Sequence, residues 1–486
     1  MIMENNARDT LSDSITLNSN SNLSFGFKVV IKETYPNCLF EISKSGTWET
    51  NNSYSFFIED REHHSYLDLF GKLSNSFGLR LPQNRRYNLN KPVCSVGYRD
   101  VLTSNIHPDI LYGYGDPAVL RVENGGVPTY YMVATSNDAP NSFPILRSSD
   151  LVDWELVNFV FPEGLKPEWA ADGAFVSDYW APEMHLIGNE FRTYFVARDK
   201  ETAELCIGLA KSSNPEGPFA ALQQPLIRGN VIDPHIFVSD NGKSYLYWKE
   251  DNNDVWPGLL IEFLHQNPQF INTLFDTAED QTTMIFIDTM WPWISSLQPM
   301  ERFLAIQVLI EAIIADFTSF YTRLQSLALN ESESLKTQIQ LILENMKTPM
   351  YAQELSADGT TLIGERTKII ENNLEWEAHL VEGMWVTQHL DNYYLFYAGN
   401  DFSTDQYGIG AAVAKSPMGP FIKMEKPFLQ SNTKWWAPGH PSVVKGLDGE
   451  HLMFLHAYHP GKAGYKEFRA LLSVPLIFNG NEVLPG

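Results

Sequence analysis

The sequence predicts an all-β fold, a five-bladed β-propeller with a small β-rich N-terminal domain and an inserted α-helical subdomain. The first observation is a template that occurs five times: an ionisable residue, a short apolar strand, a turn and an aromatic-rich strand. Repeats of about this length, built of short strands, are typical of propeller blades. The second observation is a stretch between the third and fourth repeats whose apolar residues have helical spacing. The repeats open at Asp116, Glu183, Asp233, Glu382 and His440.

The N-terminal part of the chain does not carry this template. Residues 1–22 are rich in Asn, Ser and Asp, which predicts a loose, disordered tail. Within residues 23–100, segments such as LSFGFKVVI, CLFEIS, YSFFIED and SYLDLFG predict the short strands of a small domain. A structural appendage and a sugar-binding module are both consistent with this pattern.

The predicted propeller occupies two ranges of the chain. Residues 105–257 would hold blades one and two and the first part of blade three, and residues 348–486 would hold the rest. After the helical stretch, SADGTTLIGE predicts a hairpin with an Asp-Gly turn, so the strand pattern resumes there.

Residues 258–347 predict the α-helical subdomain. ERFLAIQVLIEAIIADFTSFYTRLQSLAL keeps helical spacing over many turns, and SESLKTQIQLILENM follows with a serine at an N-cap position. The insertion follows the second strand of its blade, which returns to the face where the first strand begins. We therefore expect the helices beside the axis, either as a lid or wall over the site or as an oligomer or partner contact.

Charge and composition narrow the classes of partner. A formal net charge of -24 disfavours nucleic acid and anionic membranes, so neither is expected as a partner. No apolar run reaches the length of a membrane span, and MIMENNARDTLSDS lacks the apolar core of a secretion signal. Cys38, Cys94 and Cys206 are too scattered for a metal site. Reduced thiols predict a cytoplasmic protein, with export by a route without a cleaved signal as the alternative.

The residues that open the repeats predict a site on the axis. In a propeller the first strand of each blade lines the axis, so four carboxylates and a histidine should converge there. Crowded carboxylates perturb one another's pKa, which indicates acid/base chemistry. Glycoside hydrolysis with inversion needs two carboxyl groups about 6.5–9.5 Å apart, one to activate water and one to protonate the leaving oxygen. Acids on facing blades could meet this spacing.

Six motifs follow one another along the predicted propeller. They are GYGDPAV around Asp116, WAPEM at 180–184, VIDPHIFVSDNGKSYLYW at 231–248, VEGMWV at 381–386, LFYAGNDFSTDQYGIGAAVAKSPMGPF at 395–421, and PGHPS at 438–442 with the late HAYH. In this order they resemble glycoside hydrolase family 43, five-bladed propeller enzymes that act on arabinofuranosides and xylosides. The resemblance covers about residues 105–257 and 348–486.

The resemblance implies three catalytic roles. Asp116 matches the general base, Glu382 the general acid, and Asp233 the third carboxylate, which raises the pKa of the acid and helps to orient it. A negative neighbour does disfavour ionisation of Glu382, which keeps a proton available. Asp116 has to stay ionised, so we expect it in the better-solvated position.

The resemblance also implies contacts to substrate and to an ion. Arg469 matches an arginine that would contact a hydroxyl or a carboxylate, and Glu183 is interpreted as a scaffold or a substrate-orienting acid. His440 matches an axial histidine that in some members touches a calcium ion or its water shell, the alternative being a buried, hydrogen-bonded histidine. No cofactor is expected to be required, and a structural Ca²⁺ on the axis is the one candidate ion. The candidates for stacking on a sugar ring are Trp180, Trp385, Trp435 and Trp436.

The function implied by the resemblance is an inverting glycoside hydrolase acting on a carbohydrate, as an exo-acting α-L-arabinofuranosidase or β-D-xylosidase. An open groove would instead favour an endo-arabinanase. A fructan-active propeller is disfavoured because its Asn-Asp-Pro, Arg-Asp-Pro and Glu-Cys motifs are not in register here. The alternative from another class is a non-catalytic propeller that binds carbohydrate or protein. Met384 departs from the family, since many members carry proline there, and the insertion and N-terminal domain leave substrate choice open.

Overall fold

The computed structural model describes residues 96–486, apart from residues 175, 254 and 296, together with four strands nearer the N-terminus. These strands are β1 Asp13–Ser19, β2 Lys28–Val30, β3 Phe40–Ser45 and β4 Asn52–Ile58, and they form one sheet in the order β1-β4-β3-β2. β1 lies within the predicted loose tail, where Ile15 and Leu17 alternate with polar residues as in a strand. The rest of the predicted tail and of the N-terminal domain lies outside the described residues.

The described residues divide into two compact units, and the unit within residues 87–252 and 347–486 is built of antiparallel sheets. It begins with β5 Arg99–Leu102. The first sheet contains β6 Ala118–Asn124, β7 Val127–Val133, β8 Ser142–Ser148 and β9 Glu155–Phe161. The second contains β10 Trp180–Ile187, β11 Glu190–Arg198, β12 Leu205–Ser212 and β13 Ala220–Ala221.

Three more sheets follow in chain order. The third contains β14 Val231–Val238, β15 Ser244–Glu250, β16 Met350–Leu355 and β17 Leu362–Ile370, and the predicted Asp-Gly hairpin joins its last two strands. The fourth contains β18 Val381–His389, β19 Asn392–Gly399, β20 Gly408–Ala414 and β21 Ile422–Lys423. The fifth contains β22 Trp436–Lys445, β23 His451–Tyr458, β24 Ala470–Asn479 and β25 Glu482–Pro485.

The five sheets follow one another in a cycle. Each of the first strands β6, β10, β14 and β18 contacts the first strand of the next sheet, and β22 contacts β6. β5, which precedes the first sheet, pairs with β24 of the fifth. The apolar core lies between neighbouring sheets, since one cluster joins the second and third, another the third and fourth, and another the fifth and first. Each first strand therefore has the first strands of two other sheets as neighbours.

The first strands share a local distortion at these starts. Pairing slips beside Ala181, Asp233, Gly383 and Ala437, where φ is 43°, 57°, 58° and 49°. Asp116 has the same kind of backbone, with φ 52°. Bulges re-aim side chains, and such φ values are costly for residues other than glycine, so they cluster where function requires them.

Met384 is accommodated by this distortion. The other left-handed residues at the strand starts, among them Asp116, Asp233 and Ala437, are each followed by proline. In β18 the left-handed position is Gly383, which adopts φ 58° without a Cβ penalty. The departure from proline therefore leaves the bulge in place.

Residues 253–346 belong to the other unit and are helical. The helices are α1 Val255–Gln266, α2 Ile271–Leu274, α3 Ala278–Ile294, α4 Pro299–Ile314, α5 Phe317–Asn330 and α6 Glu333–Asn345, with a 3-10 turn at Pro268–Phe270. In chain order they fall between β15 and β16 of the third sheet, and the N-cap of α6 is Ser332, as predicted. The long apolar run is divided between α4 and α5, which are bent by 88°. In the described part of the chain no single helix is long and apolar enough to cross a membrane, and α4 and α5 pass that test only together.

Candidate active site

Asp116, immediately before β6, lies among basic side chains. Nη1 of Arg469 donates to its Oδ1 at 2.9 Å, and Nδ1 of His440 and of His456 lie 3.4 and 3.3 Å from the same oxygen. The hydroxyl of Thr135 donates to Oδ2. Burial alone would raise the pKa of Asp116, but Arg469 and the two histidines hold it well below its usual range. Asp116 is therefore a carboxylate at neutral pH.

The cause of this ionisation differs from the one that the sequence predicted. The side chains of Asp116 and Glu382 are equally exposed, at 13% each. Better solvation therefore does not separate them. The guanidinium of Arg469 does, because an opposite charge in contact favours the ionised form of a carboxyl group.

Glu382, at the start of β18, has the opposite surroundings. The hydroxyl of Tyr407 donates to Oε1 at 2.7 Å, and Nζ of Lys249 lies 3.4 Å from Oε2. Burial raises the pKa of Glu382, Lys249 opposes that shift, and Asp233 adds to it. The net effect is a raised pKa, so Glu382 keeps its proton at a pH where an exposed glutamate has lost it.

Asp233, in β14, connects these two acids. Its Oδ2 accepts a hydrogen bond of 2.7 Å from the backbone N–H of Gly383, the residue after Glu382. Burial raises the pKa of Asp233 to about 7, with Lys249 opposing the shift and Asp116 adding to it. A Cβ at Gly383 would lie 3.0 Å from Nδ1 of His440, so glycine there permits the close approach of the strands.

The structure brings the three predicted carboxylates into one charge cluster. Asp233 and Glu382 lie in the first strands of two sheets, and Asp116 lies just before the first strand of another. The charge of Asp116 raises the pKa of Asp233, and that of Asp233 raises the pKa of Glu382. After burial, the negative charges of all three carboxylates raise the pKa of Tyr407. Within a single site, one carboxyl group thus has a lowered pKa and another a raised pKa, which is what paired acid and base chemistry requires.

More than half of the sequence matches a known family. A profile of the family described as Glycosyl hydrolases family 43 matches residues 108–273 and 335–481, which include Asp116, Asp233 and Glu382. The chain belongs to glycosyl hydrolases family 43. Residues 274–334, which contain α3, α4 and α5, fall between the two matched ranges of this family 43 chain.

Individual relatives resemble parts of the family 43 chain. Xylosidase/arabinosidase 43A of Humicola insolens is 38% identical over 97 residues, 20% of this chain and 27% of the relative. A relative from Xylanibacter ruminicola is 29% identical over 131 residues, 27% of this chain and 23% of its own. The chain thus spans about a quarter of the length of these curated relatives. The crystal structure of a thermostable family-43 glycoside hydrolase matches with a TM-score of 0.53 and 25% identity, covering 77% of this chain and 92% of that one.

Glu183 of this family 43 chain is a buried scaffold for two histidines. Its Oε2 lies 2.8 Å from Nε2 of His185 and 2.9 Å from Nδ1 of His235. The N–H of Val386 donates to Nε2 of His235 at 2.9 Å, so the proton of the neutral ring is on Nδ1. Of the two roles considered for Glu183, the burial and these contacts favour the scaffold.

Two groups of side chains in this region are candidates for holding an ion. Glu183, His185 and His235 have donor atoms within 4.8 Å of one another, close enough for a metal. Nδ1 of His235, however, carries a proton donated to Glu183, so it offers no free lone pair. Calcium prefers six to eight oxygen ligands. His440 instead faces one oxygen of Asp116 that already accepts from Arg469, so this donor set does not fit calcium held by protein ligands.

Two of the four tryptophans that were candidates for stacking on a sugar ring are buried. Trp385 is buried, and its ring centroid lies 4.6 Å from that of His235, so little of its surface is left for a sugar. Trp435 is also buried, and its Nε1 donates to Oδ1 of Asp100 at 3.0 Å. For Trp385 the bulge at Gly383 supplies a reason, because it changes which face of β18 the following side chains occupy, and this cannot be read from spacing.

The other predicted contacts remain near the strand starts. Trp180 and Trp436 are half-buried at the first positions of β10 and β22, so stacking on a sugar stays a prediction for both. Arg469 donates to Asp116, and a Cβ at Gly115 would lie 1.8 Å from its Cζ. Glycine at 115 therefore leaves room for the guanidinium, which in this structure binds the carboxylate of Asp116.

Two residues of the site were missed by the sequence reasoning. Lys249 ends a strand of apolar and aromatic residues, and its side chain is 0% exposed. A buried lysine needs an anionic partner, so its position in that strand was an available signal. Tyr407 lies within a quoted motif, but nothing in its local sequence distinguishes it from a core aromatic.

Proposed function

We propose that this family 43 chain is an inverting glycoside hydrolase that cleaves O-glycosidic bonds. The observation that carries the proposal is the opposite displacement of two pKa values in one site, downward for Asp116 and upward for Glu382. Such a pair supplies a base and an acid at the same pH.

The proposed reaction takes place in one displacement. A water molecule attacks the anomeric carbon while Asp116 accepts its proton, and the bond to the leaving oxygen breaks as Glu382 protonates that oxygen. Asp233 holds the strand at Gly383 and keeps the proton on Glu382 before substrate binds. The product sugar then has the opposite anomeric configuration to the substrate.

We propose a five-bladed propeller with its helical subdomain inserted in blade three as the scaffold. The cyclic contacts of the five first strands and the pairing of β5 with β24 support this arrangement. A lid and an oligomer or partner contact stay the two candidate roles of the helices.

For substrate, we propose an exo-acting α-L-arabinofuranosidase or β-D-xylosidase. Family membership and the name of the Humicola insolens relative support this class. An endo-arabinanase and a non-catalytic binding propeller are the alternatives that an assay separates.

Hydrolysis of aryl α-L-arabinofuranosides and aryl β-D-xylosides tests the proposal directly. We expect release from at least one of them, and NMR of the first-formed sugar should show the inverted anomer, because water attacks opposite to the leaving group. A retained anomer would refute the role of Asp116. Background release from these substrates and from linear arabinan, equal to that of an Asp116→Ala variant, would favour a binding module.

Removal of divalent cations is expected to leave this activity unchanged. The guanidinium of Arg469 supplies the positive charge that keeps Asp116 ionised, so the proposed reaction does not depend on a bound cation. The measurement is kcat/KM before and after dialysis against EDTA, with calcium-saturated EDTA as the control. A loss restored by calcium but not by magnesium would contradict the prediction and revive the axial calcium site.

A further inference from the structure

Lys249 is a buried cation beside the proposed general acid. Its side chain is 0% exposed, and its Nζ lies 3.4 Å from Oε2 of Glu382 and 3.4 Å from Oδ1 of Asp251. Burying an ammonium group costs several kcal/mol unless anions compensate for it. Two carboxyl groups share this cation, and only one of them is the acid.

Glu382 is faced by charged or titratable groups from several elements. Lys249 lies near the end of β15 and Asp251 just after it, Asp233 lies in β14, and Tyr407 immediately precedes β20. Asp233 and Asp251 disfavour a negative charge on Glu382, whereas Lys249 and the hydroxyl of Tyr407 favour it. The acid is therefore poised between opposing charges.

We propose that Lys249 is a positioning residue for Glu382, holding its Oε2 and stabilising the carboxylate that forms as the acid gives up its proton, while Asp251 limits how strongly that cation acts. The inference rests on the proposed function. Lys249 transfers no proton itself. Its effect is electrostatic, because a carboxylate created in a buried site has little water to solvate it.

Glu382, Tyr407 and Lys249 form a trio of a glutamate, a tyrosine and a lysine. A second trio of the same residue types lies in the same unit and serves as a structural comparison. Glu377 is also flanked by a tyrosine and a lysine, with Tyr397 donating at 2.7 Å and Nζ of Lys423 at 2.7 Å. The N–H groups of Asn373 and Leu374 donate to it as well. Glu377 is a fully bonded carboxylate.

The trio of Glu382 is looser. Lys249 lies at 3.4 Å, beyond the usual hydrogen-bond range of about 2.7–3.2 Å. Glu382 also keeps 13% of its side chain exposed, whereas the side chain of Glu377 is 0% exposed. This arrangement allows Glu382 to hold a proton in the resting enzyme and still favours the charge that appears when the proton leaves.

The test is the pH dependence of kcat/KM in two variants with opposite predictions. At high pH, kcat/KM falls as the general acid loses its proton, and this fall is the basic limb of the profile. Lys249→Met removes a positive charge, so the pKa of Glu382 should rise and the midpoint of the basic limb should move to a pH higher by about one unit or more. Its loss of rate should be larger on substrates with poor leaving groups. Asp251→Asn removes a negative charge, so the same limb should move down. Lys423→Met is the matched control, expected to lower thermal stability without moving the limb.

Opposite shifts from two residues so close together are not expected of a structural defect. Unmoved limbs, or shifts in the same direction, would overturn the proposal. If Lys249→Met does not fold, the downward shift in Asp251→Asn alone decides.

If the wild-type protein hydrolyses no glycoside, the proposed function fails but this inference is still testable. NMR titration of glutamate labelled at the side-chain carboxyl carbon, assigned by difference from Glu382→Gln, measures the acid without turnover. A higher pKa of Glu382 in Lys249→Met upholds the inference, and an unchanged value overturns it.

Discussion

The variant Asp116→Asn is expected to lose about 10²–10⁴-fold in kcat/KM, and to lose it on good and poor leaving groups alike. The reason is that activation of water is needed whatever group departs. Asparagine keeps an oxygen that can accept from Arg469 and tolerates the left-handed backbone, where φ is 52°. The fold should therefore survive while the base is removed.

The control for Asp116 is a second buried aspartate that pairs with an arginine. Asp199 contacts Arg228, so Asp199→Asn should lower the melting temperature and leave kcat/KM near the wild-type value. Asp116→Gly, which removes the carboxyl group at a position suited to glycine, offers a chemical test. Azide needs no base, so it should restore turnover and give a glycosyl azide of inverted configuration. An Asp116→Asn enzyme with undiminished rate would show that another group activates water.

Glu382→Gln is expected to lose about 10²–10⁴-fold on substrates with poor leaving groups and far less on dinitrophenyl glycosides. A dinitrophenolate departs without protonation, whereas an alkoxide or a sugar hydroxyl does not. The basic limb of the pH profile should also disappear, because the limb reports the raised pKa of Glu382. The measurement is kcat/KM over a series of aryl glycosides of graded leaving-group pKa.

The matched control is Glu377→Gln. It removes a buried glutamate with the same tyrosine and lysine neighbours, five positions earlier in the chain. We expect reduced stability and no dependence on the leaving group. Equal losses across the series in Glu382→Gln would contradict its assignment as the acid.

Sequence patterns predicted those features that neighbouring residues in the chain determine, namely strands, helices and turns. The alternation and aromatic content of the repeats predicted the strands, and the Asp-Gly pair predicted the hairpin between β16 and β17. Helical spacing predicted helices for residues 258–347, and the structure has them from Val255 to Asn345, but spacing did not predict the bend between α4 and α5, because it carries no information on chain direction. The burial of Trp385 was not predictable for a related reason, since the bulge at Gly383 changes the face on which the following side chains of β18 lie.

The sequence by itself determined which residues carry carboxyl groups at the starts of the repeats, and the repeat pattern made their convergence predictable. Only the tertiary structure decided which of them is ionised. Asp116 and Arg469 are 353 positions apart, and Glu382 and Lys249 come from different sheets. A pKa depends on charges within a few ångströms and on burial, and both are set when distant segments pack together rather than by any neighbour along the chain.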